Sequence, residues 1–351
     1  MPPLRWGLLG TAHINRRIIP ALRASGRSVV AAVGSRDQAR ANAFAAAWGI
    51  PHAFGSYEAL LDGPVDVVYV ALPNGLHVRW TIDAVARGRH VLCEKPLALT
   101  PADVERVEAL AAQAGMVVAE GFMYLHHAQT ITIEAAVASG LIGELRTVVG
   151  EFSYLRSRTP DVRLDPALGG GALFDVGCYP VSLAQRLAGA SPVAASAVAE
   201  VGATGVDEQV VGAVRYDSGV CAHVYASFRR PWRASLHVLG TTGHLYADNA
   251  FRPDGTGGFT IARPGRSPEH VVVTGRALFE DQIADMEAAV LDGRTPGVPL
   301  ADSRRFAVTL AGLAEAWRSG TPVALDAPAE AAPADTAPAD TVSADTVSAD
   351  N

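Results

Sequence analysis

Residues 4–122 alternate short, almost wholly apolar runs with amphipathic or Ala-rich stretches, and that alternation leaves few folds open. LRWGLLG, VVAAVGS, VDVVYVAL, HVLCEK and VVAEGF are strand-like, and helical segments separate them. Strands that are apolar on both faces, each followed by a helix, predict a parallel sheet covered on both sides. One of the helices is marked at both ends: Thr100 caps it, Pro101 stands where its missing N–H costs nothing, and Gly115 closes it. Its Val104, Val107, Leu110, Ala111 and Ala114 fall on one face.

After residue 123 the period changes. LRTVVGEFSYLRS alternates, as do 208–216 and 220–228, which Asp217-Ser218-Gly219 joins as a hairpin. A further turn falls at Thr241-Thr242-Gly243, and helices are expected near 126–139, 171–189, 278–293 and 300–318. These strands predict an antiparallel or mixed sheet with one solvated or partner-facing side. The chain thus divides into residues 1–122, 123–326 and a tail, 327–351. The tail repeats APADT-APADT-VSADT-VSADN, offers nothing to bury, and is expected to be disordered.

Charge excludes some functions. The net charge of −7 leaves no basic surface for a nucleic-acid backbone, and Asp326, Glu330, Asp335, Asp340, Asp345 and Asp350 supply all but one unit of it. No apolar run approaches the roughly 20 residues of a membrane span, and no signal-peptide layout precedes the first strand. Cys93, Cys178 and Cys221 lack any CxxC pair, as expected of reduced thiols in a cytoplasmic chain without a zinc site.

The first strand ends in Gly7-Leu8-Leu9-Gly10-Thr11-Ala12-His13-Ile14, a glycine turn opening a helix. Such a turn brings backbone N–H groups and a helix dipole to a pyrophosphate, although Ala12 and Asn15 replace two of the usual small residues. The second strand ends in Gly34-Ser35-Arg36-Asp37. Ser35 and Arg36 stand where an NAD-binding chain carries an acid, and a hydroxyl beside a guanidinium suits the 2′-phosphate of NADP(H). Leu72, Pro73, Asn74 and His77 follow a very apolar strand and should face the cofactor at the carboxyl edge of the sheet. Glu94 and Lys95 end the next strand at that edge. They need not be partners, because successive strand residues face opposite ways.

Gly169-Gly170-Gly171-Ala172-Leu173-Phe174-Asp175-Val176-Gly177-Cys178-Tyr179-Pro180 joins a triple glycine to a helix. Asp175 and Tyr179, four apart, share a helical face, either as a structural pair or as an acid and a phenol presented to a cleft.

Taken in order, the glycine turn, PNGLH, CEKP and GGGALFDVGCYPV resemble the Gfo/Idh/MocA oxidoreductases across about residues 4–325. The resemblance implies an α/β protein with an N-terminal Rossmann domain. It also implies a C-terminal α/β domain with a large, mostly antiparallel sheet, through which the chain forms a homodimer or homotetramer. It places Lys95 beside the nicotinamide and the reacting carbon. Tyr179, where most of the family has histidine, is similar to the branch of glucose–fructose oxidoreductase, dihydrodiol dehydrogenases and nucleotide-sugar C-3 ketoreductases. Leu125-His126-His127 and the His13 turn are similar to the last of these.

The function implied is NADP(H)-dependent redox chemistry at a carbonyl or hydroxyl carbon of a sugar-like substrate. Tyr179 would supply the proton. Lys95 would stabilise the alkoxide and lower the phenol's pKa, and Asp175 would orient a substrate hydroxyl or the pair itself. Oxidation of a cyclic diol or free sugar is the alternative chemistry. A non-catalytic cofactor sensor is the alternative without chemistry, and retention of both Lys95 and Tyr179 argues against it.

Overall fold

The computed structural model describes residues 2–156 and 161–325. The 327–351 repeat lies outside them. Six short strands form the first sheet: β1 (Leu4–Leu9), β2 (Ser28–Gly34), β3 (His52–Phe54), β4 (Val67–Val70), β5 (His90–Glu94) and β6 (Val118–Gly121). They pair in parallel in the order β3-β2-β1-β4-β5-β6. Strand β4 is buried along its whole length, as its unbroken apolar run requires. The order reverses between β1 and β4, and in such sheets the crevice outside the carboxyl ends at that reversal is where ligands sit.

Helices α1 (Asn15–Ala24), α2 (Gln38–Trp48), α3 (Tyr57–Leu61), α4 (His77–Ala86) and α5 (Pro101–Ala114) connect these strands. The caps of α5 are those read from sequence: Thr100 accepts from the Asp103 N–H and Gly115 is left-handed. Its buried face holds Val104, Val107 and Ala111, whereas Ala114, in the last turn, is exposed.

The second sheet contains β7 (Leu145–Ser153), β8 (Pro192–Val201), β9 (Asp207–Tyr216), β10 (Cys221–Ser227), β11 (Arg233–Gly240), β12 (His244–Ala247), β13 (Thr256–Ala262), β14 (Glu269–Thr274) and β15 (Val323–Ala324). Its order is β14-β13-β12-β11-β7-β10-β9-β8-β15, antiparallel except between β7 and β10. Helices α6 (Ala128–Ala138), α7 (Cys178–Ala188), α8 (Glu280–Asp292) and α9 (Leu300–Ser319) accompany it.

Helix α7 packs on β7, and α9 packs on β8, α5 and β6, so the two domains share a core. The junction is polar at α8. There the buried Glu287 accepts from the Ser25 and Ser28 hydroxyls, and Asp292 holds Arg27 through two hydrogen bonds of 2.7 and 3.0 Å. Contrary to the reading of apolar runs, the segment Pro166–Ala188 has the length and apolarity of a membrane span. Its most apolar window is 83% buried inside the fold, which makes it a core element of the second domain.

Residues 171–189 do not form one regular helix. A π-turn, Leu173–Gly177, precedes α7. Gly171 makes the entry possible: its φ is +124°, and a Cβ there would lie 2.2 Å from an Asp207 carboxylate oxygen. Asp207 in turn accepts from the Leu173 N–H at 2.7 Å and anchors the turn. The π-turn changes the register here, so Asp175 and Tyr179 are not the i,i+4 pair of a regular α-helix.

Candidate active site

A cavity of about 730 Å³ opens at the carboxyl edge of the first sheet, where the second domain closes over it. Gly10, Thr11, Ala12, His13, Ile14, Ser35, Arg36, Leu72, Pro73, Asn74, His77, Glu94, Lys95, Asp175 and Tyr179, the positions singled out in the sequence, all line it.

At one end lies the glycine turn. Gly10 has φ +103°, and a Cβ there would meet the Ala71 carbonyl at 3.2 Å, so the chain turns here only as glycine. Asn15, read from sequence as a departure from the small-residue pattern, is fully buried and donates to the Gly10 carbonyl at 2.8 Å, holding the turn shut. Ser35 is buried against β3, its N–H bonded to the Phe54 carbonyl, and Arg36 projects into the cavity mouth. Asp37 is not a ribose acid, because its carboxylate caps α2 through the Arg40 N–H at 2.7 Å. Arg40 also lines the cavity, four residues after Arg36. Two guanidinium groups, a hydroxyl and the N-terminal end of α1, with no acid among the residues that line this end of the cavity, fit a pyrophosphate and a 2′-phosphate.

Several loop residues act differently from expectation. The His77 ring is buried rather than surface-borne, with Nδ1 and Nε2 each 2.7 Å from a backbone carbonyl, those of Pro96 and Leu72. It ties the cofactor loop to the segment after Lys95, and burial pushes the imidazole below its usual range against those two carbonyls. Asn74 donates to the Gly169 carbonyl at 2.9 Å and so links the loop to the second domain. Glu94 pairs with the Tyr69 hydroxyl.

Lys95 faces Asp175. Its Nζ donates to the Asp175 carbonyl oxygen at 2.6 Å and lies 3.3 Å from Oδ1. Oδ2 accepts from the Tyr154 hydroxyl at 2.8 Å and from Arg163 Nε at 3.0 Å. Burial acts to raise the Asp175 carboxyl, but Lys95, Arg163 and the Tyr154 hydroxyl outweigh it and bring it down to about 2. Burial likewise acts to lower the Lys95 ammonium, and Asp175 leads the groups that hold it above its ordinary value. Asp175 is therefore an ionised residue with both oxygens engaged, which leaves orientation of Lys95, rather than of a substrate hydroxyl, as what it can do. Just below, buried Glu120 accepts from the Leu97 N–H at 2.8 Å and steadies the backbone after Lys95. Burial raises its carboxyl to about 7.

Tyr179 makes no hydrogen bond to Asp175. Its ring packs among Phe122, Tyr124, Phe152 and Phe251 at centroid distances of 5.0–6.0 Å, with Lys95 Nζ 5.1 Å from its centroid. Among the described residues its hydroxyl meets only the Met123 sulfur, at 3.8 Å. The buried neighbour Tyr124, by contrast, bonds Ser182 Oγ at 2.8 Å and the Tyr179 carbonyl. Burial raises the Tyr179 phenol, and Lys95 opposes the shift without reversing it, so the expected lowering is corrected to a rise.

Sequence reading passed over Arg40, Tyr154, Trp232 and Arg252 and gave Arg163 no role, yet all five line the cavity. For Arg40 a signal existed, since a helix capped at Asp37 places it one turn beyond Arg36. The others come from strands and loops distant in sequence and carry no spacing signal.

Residues 4–122 match the family described as "Oxidoreductase family, NAD-binding Rossmann fold", and residues 130–246 match the "GFO/IDH/MocA C-terminal domain". The chain belongs to the Gfo/Idh/MocA oxidoreductase family. Within it, the chain is 39% identical to D-xylose 1-dehydrogenase (NADP(+)) 2 of Haloferax volcanii, over 92% of this chain and 100% of that relative. It is 41% identical to the dTDP-3,4-didehydro-2,6-dideoxy-alpha-D-glucose 3-reductase of Streptomyces antibioticus, over 73% and 78% of the two. Among solved structures it is similar to a 3-ketoreductase from Actinomadura kijaniata in complex with NADP and TDP-benzene. That match has a TM-score of 0.84 and 33% identity, covering 91% of this chain and 98% of that one.

This Gfo/Idh/MocA enzyme is thus an oxidoreductase whose cofactor is NADP(H). A charge-assisted hydrogen bond contributes about 1.5–3 kcal/mol, so its preference for NADPH over NADH in kcat/KM should be roughly 10- to 150-fold. Arg36→Ala should remove part of that preference and Arg36→Ala with Arg40→Ala nearly all of it, with NADH use little changed. Steady-state kinetics with both cofactors checks this; equal efficiency in the unmutated enzyme contradicts it.

Proposed function

We propose that the enzyme reduces a keto-sugar with NADPH, or runs the reverse oxidation, with Tyr179 as proton donor and Lys95 as the cation at the reacting oxygen. The substrate is a sugar carried on a nucleoside diphosphate, as in the dTDP-sugar reductases it resembles. When bound, NADP(H) supplies or accepts hydride at its nicotinamide ring. The observation that carries the reading is the Tyr179 hydroxyl, which is buried at the cavity wall beside Lys95 and, among the described residues, has only a thioether for company. Buried hydroxyls nearly always have a strong partner, and one left open in a cleft points to a ligand that completes it.

Reduction places negative charge on the carbonyl oxygen. Lys95, held charged by Asp175, stabilises that oxygen as an alkoxide. Tyr179 donates its proton to it and is reprotonated from solvent. Because burial holds the phenol above its usual value, Tyr179 stays protonated through the physiological range, the state a donor needs. Oxidation of a free aldose is the second reading, and it rests on the full-length similarity to a xylose dehydrogenase.

We also read the second sheet as the surface of a homodimer or homotetramer. One face is covered by α7 and α9, while the other shows Val198 and its register partner Val211, 70% and 49% exposed. Light scattering at assay concentration should report an oligomer; a monomer contradicts this.

Tyr179→Phe keeps the ring and its packing but deletes the proton. Turnover should fall about 10²- to 10⁴-fold while NADPH binding barely changes. Lys95→Ala should also lose turnover, and the double variant should lose far less than the product of the two. With Tyr179 and Lys95 both shifted upward, reduction should stay flat to about pH 9.5 rather than decline below the phenol's ordinary value of about 10. Turnover is read from NADPH absorbance on a panel of nucleotide-linked and free keto-sugars, with the product identified by NMR. Near-normal turnover in Tyr179→Phe overturns the assignment.

A further inference from the structure

Four cations stand at the substrate end of the cavity: Lys95, Arg156, Arg163 and Arg252. Three of them face carboxylates. Lys95 and Arg163 share Asp175, and Arg156 and Arg163 lie 3.7 and 3.4 Å from Asp161. Arg252 is different. Among the described residues its guanidinium has no carboxylate and no hydrogen-bond acceptor; its carbon lies 5.7 Å from the centroid of the Trp232 ring. Arg252 is half-buried, and its charge reaches Tyr179, where it opposes the rise of the phenol.

A guanidinium partly removed from water without an acid retains its desolvation cost, and a sugar hydroxyl offers no charge to offset it. A phosphate does, and its oxygens match the planar fork of arginine. Trp232 gives the geometry a direction. It is 53% exposed at the cavity wall, its inner edge rests on Phe152 at 5.2 Å, and Phe152 packs on Tyr179 at 5.0 Å. Tyr179, Phe152, Trp232 and Arg252 thus form a continuous wall leading outward from the reacting hydroxyl.

We infer that Arg252 and Trp232 form a subsite for a phosphate-linked substituent of the sugar, Arg252 taking the phosphate oxygens and the face of Trp232 taking a flat ring beyond them. The inference rests on reading this cavity as the sugar oxidoreductase site, and it names the two residues that select linked over free sugars. The phosphate can belong to a sugar phosphate or to a nucleoside diphosphate, and the Trp232 ring separates the two sources.

The test is calorimetric binding to the full-length protein saturated with NADPH, so that the cofactor's own phosphate site is filled. Thymidine diphosphate, glucose 1-phosphate and free glucose serve as probes. The phosphate probes should bind at least tenfold more tightly than glucose, and Arg252→Leu should weaken them about 10- to 100-fold while leaving NADPH affinity within twofold. Arg252→Lys, which keeps the charge but not the fork, should recover part of the loss. Trp232→Ala should weaken thymidine diphosphate about 5- to 10-fold and leave glucose 1-phosphate unchanged if the source is a nucleotide. If Trp232→Ala weakens neither and Arg252→Leu weakens both, the phosphate subsite stands with a simple sugar phosphate as its source. Phosphate probes no tighter than glucose, or unaffected by Arg252→Leu, overturn the inference. Efficient turnover of free aldoses that is unchanged in Arg252→Leu also overturns it, yet leaves the redox reading standing. Full turnover in Tyr179→Phe removes Tyr179 from the proton-donor role without touching phosphate binding.

Discussion

The ion pair between Lys95 and Asp175 joins residues 80 apart in the chain, one at the end of β5 and one in the π-turn before α7. Neither partner is at home in a buried cleft alone. An isolated ammonium or carboxylate there costs several kcal/mol, and removing one partner strands the other. The surrounding architecture serves this pair. Gly171 and Asp207 set the entry of the π-turn, Tyr154 and Arg163 occupy the second carboxylate oxygen, and Glu120 and His77 hold the backbone after Lys95. A buried pair of this kind is weak grounds for stability but strong grounds for a fixed geometry, because both oxygens of Asp175 have to be satisfied at once.

The same closure sets the electrostatics of Tyr179. Its aromatic surroundings exclude water and raise the phenol; Lys95 reduces that rise without overcoming it. A phenol kept neutral beside an ammonium kept charged is a donor and a stabiliser in the states reduction requires, and we propose those roles for them. The two domains divide the rest. The first lines the cavity with the glycine turn, Ser35, Arg36 and Arg40, and the second with Tyr179, Asp175, Trp232 and Arg252; we propose that the former hold the cofactor and that Tyr179, Trp232 and Arg252 meet the sugar. The α8 contacts to Ser25, Ser28 and Arg27 and the packing of α9 on α5 keep the two halves of the cavity in register.

Much of this was legible in the order of residues because local rules govern it. The parallel sheet follows from apolar runs, α5 from its caps, and the 217–219 hairpin from its glycine, which has φ +83°. The cofactor, NADP(H), was legible because Ser35 and Arg36 stand where strand length would place an NAD-binding acid. Strand β3, with three residues, and β8, PVAASAVAEV, carry too little alternation to be read. The π-turn was invisible because its cause, the Asp207 carboxylate against Gly171, arrives from a strand 36 residues away. The direction of the Tyr179 shift was misread for a related reason. A lysine nearby lowers a phenol, but burial, which only the assembled aromatic cage supplies, raises it more. Tyr154, Trp232 and Arg252 reach the cavity from elements that nothing in their neighbouring sequence connects to it.

We propose that Asp175 acts through Lys95, keeping a buried ammonium charged at the reacting oxygen. The most direct test is the pH–rate profile of Asp175→Asn against that of the unmutated enzyme. Asparagine keeps the shape and one acceptor but removes the charge, so burial and Arg163 would then act on Lys95 with their main counterweight gone. Asp175→Asn should show a lower rate with a new loss of activity as pH rises, its midpoint below about 10, where the unmutated enzyme remains flat. A profile of unchanged shape, merely scaled down, would contradict it and reduce Asp175 to a structural contact.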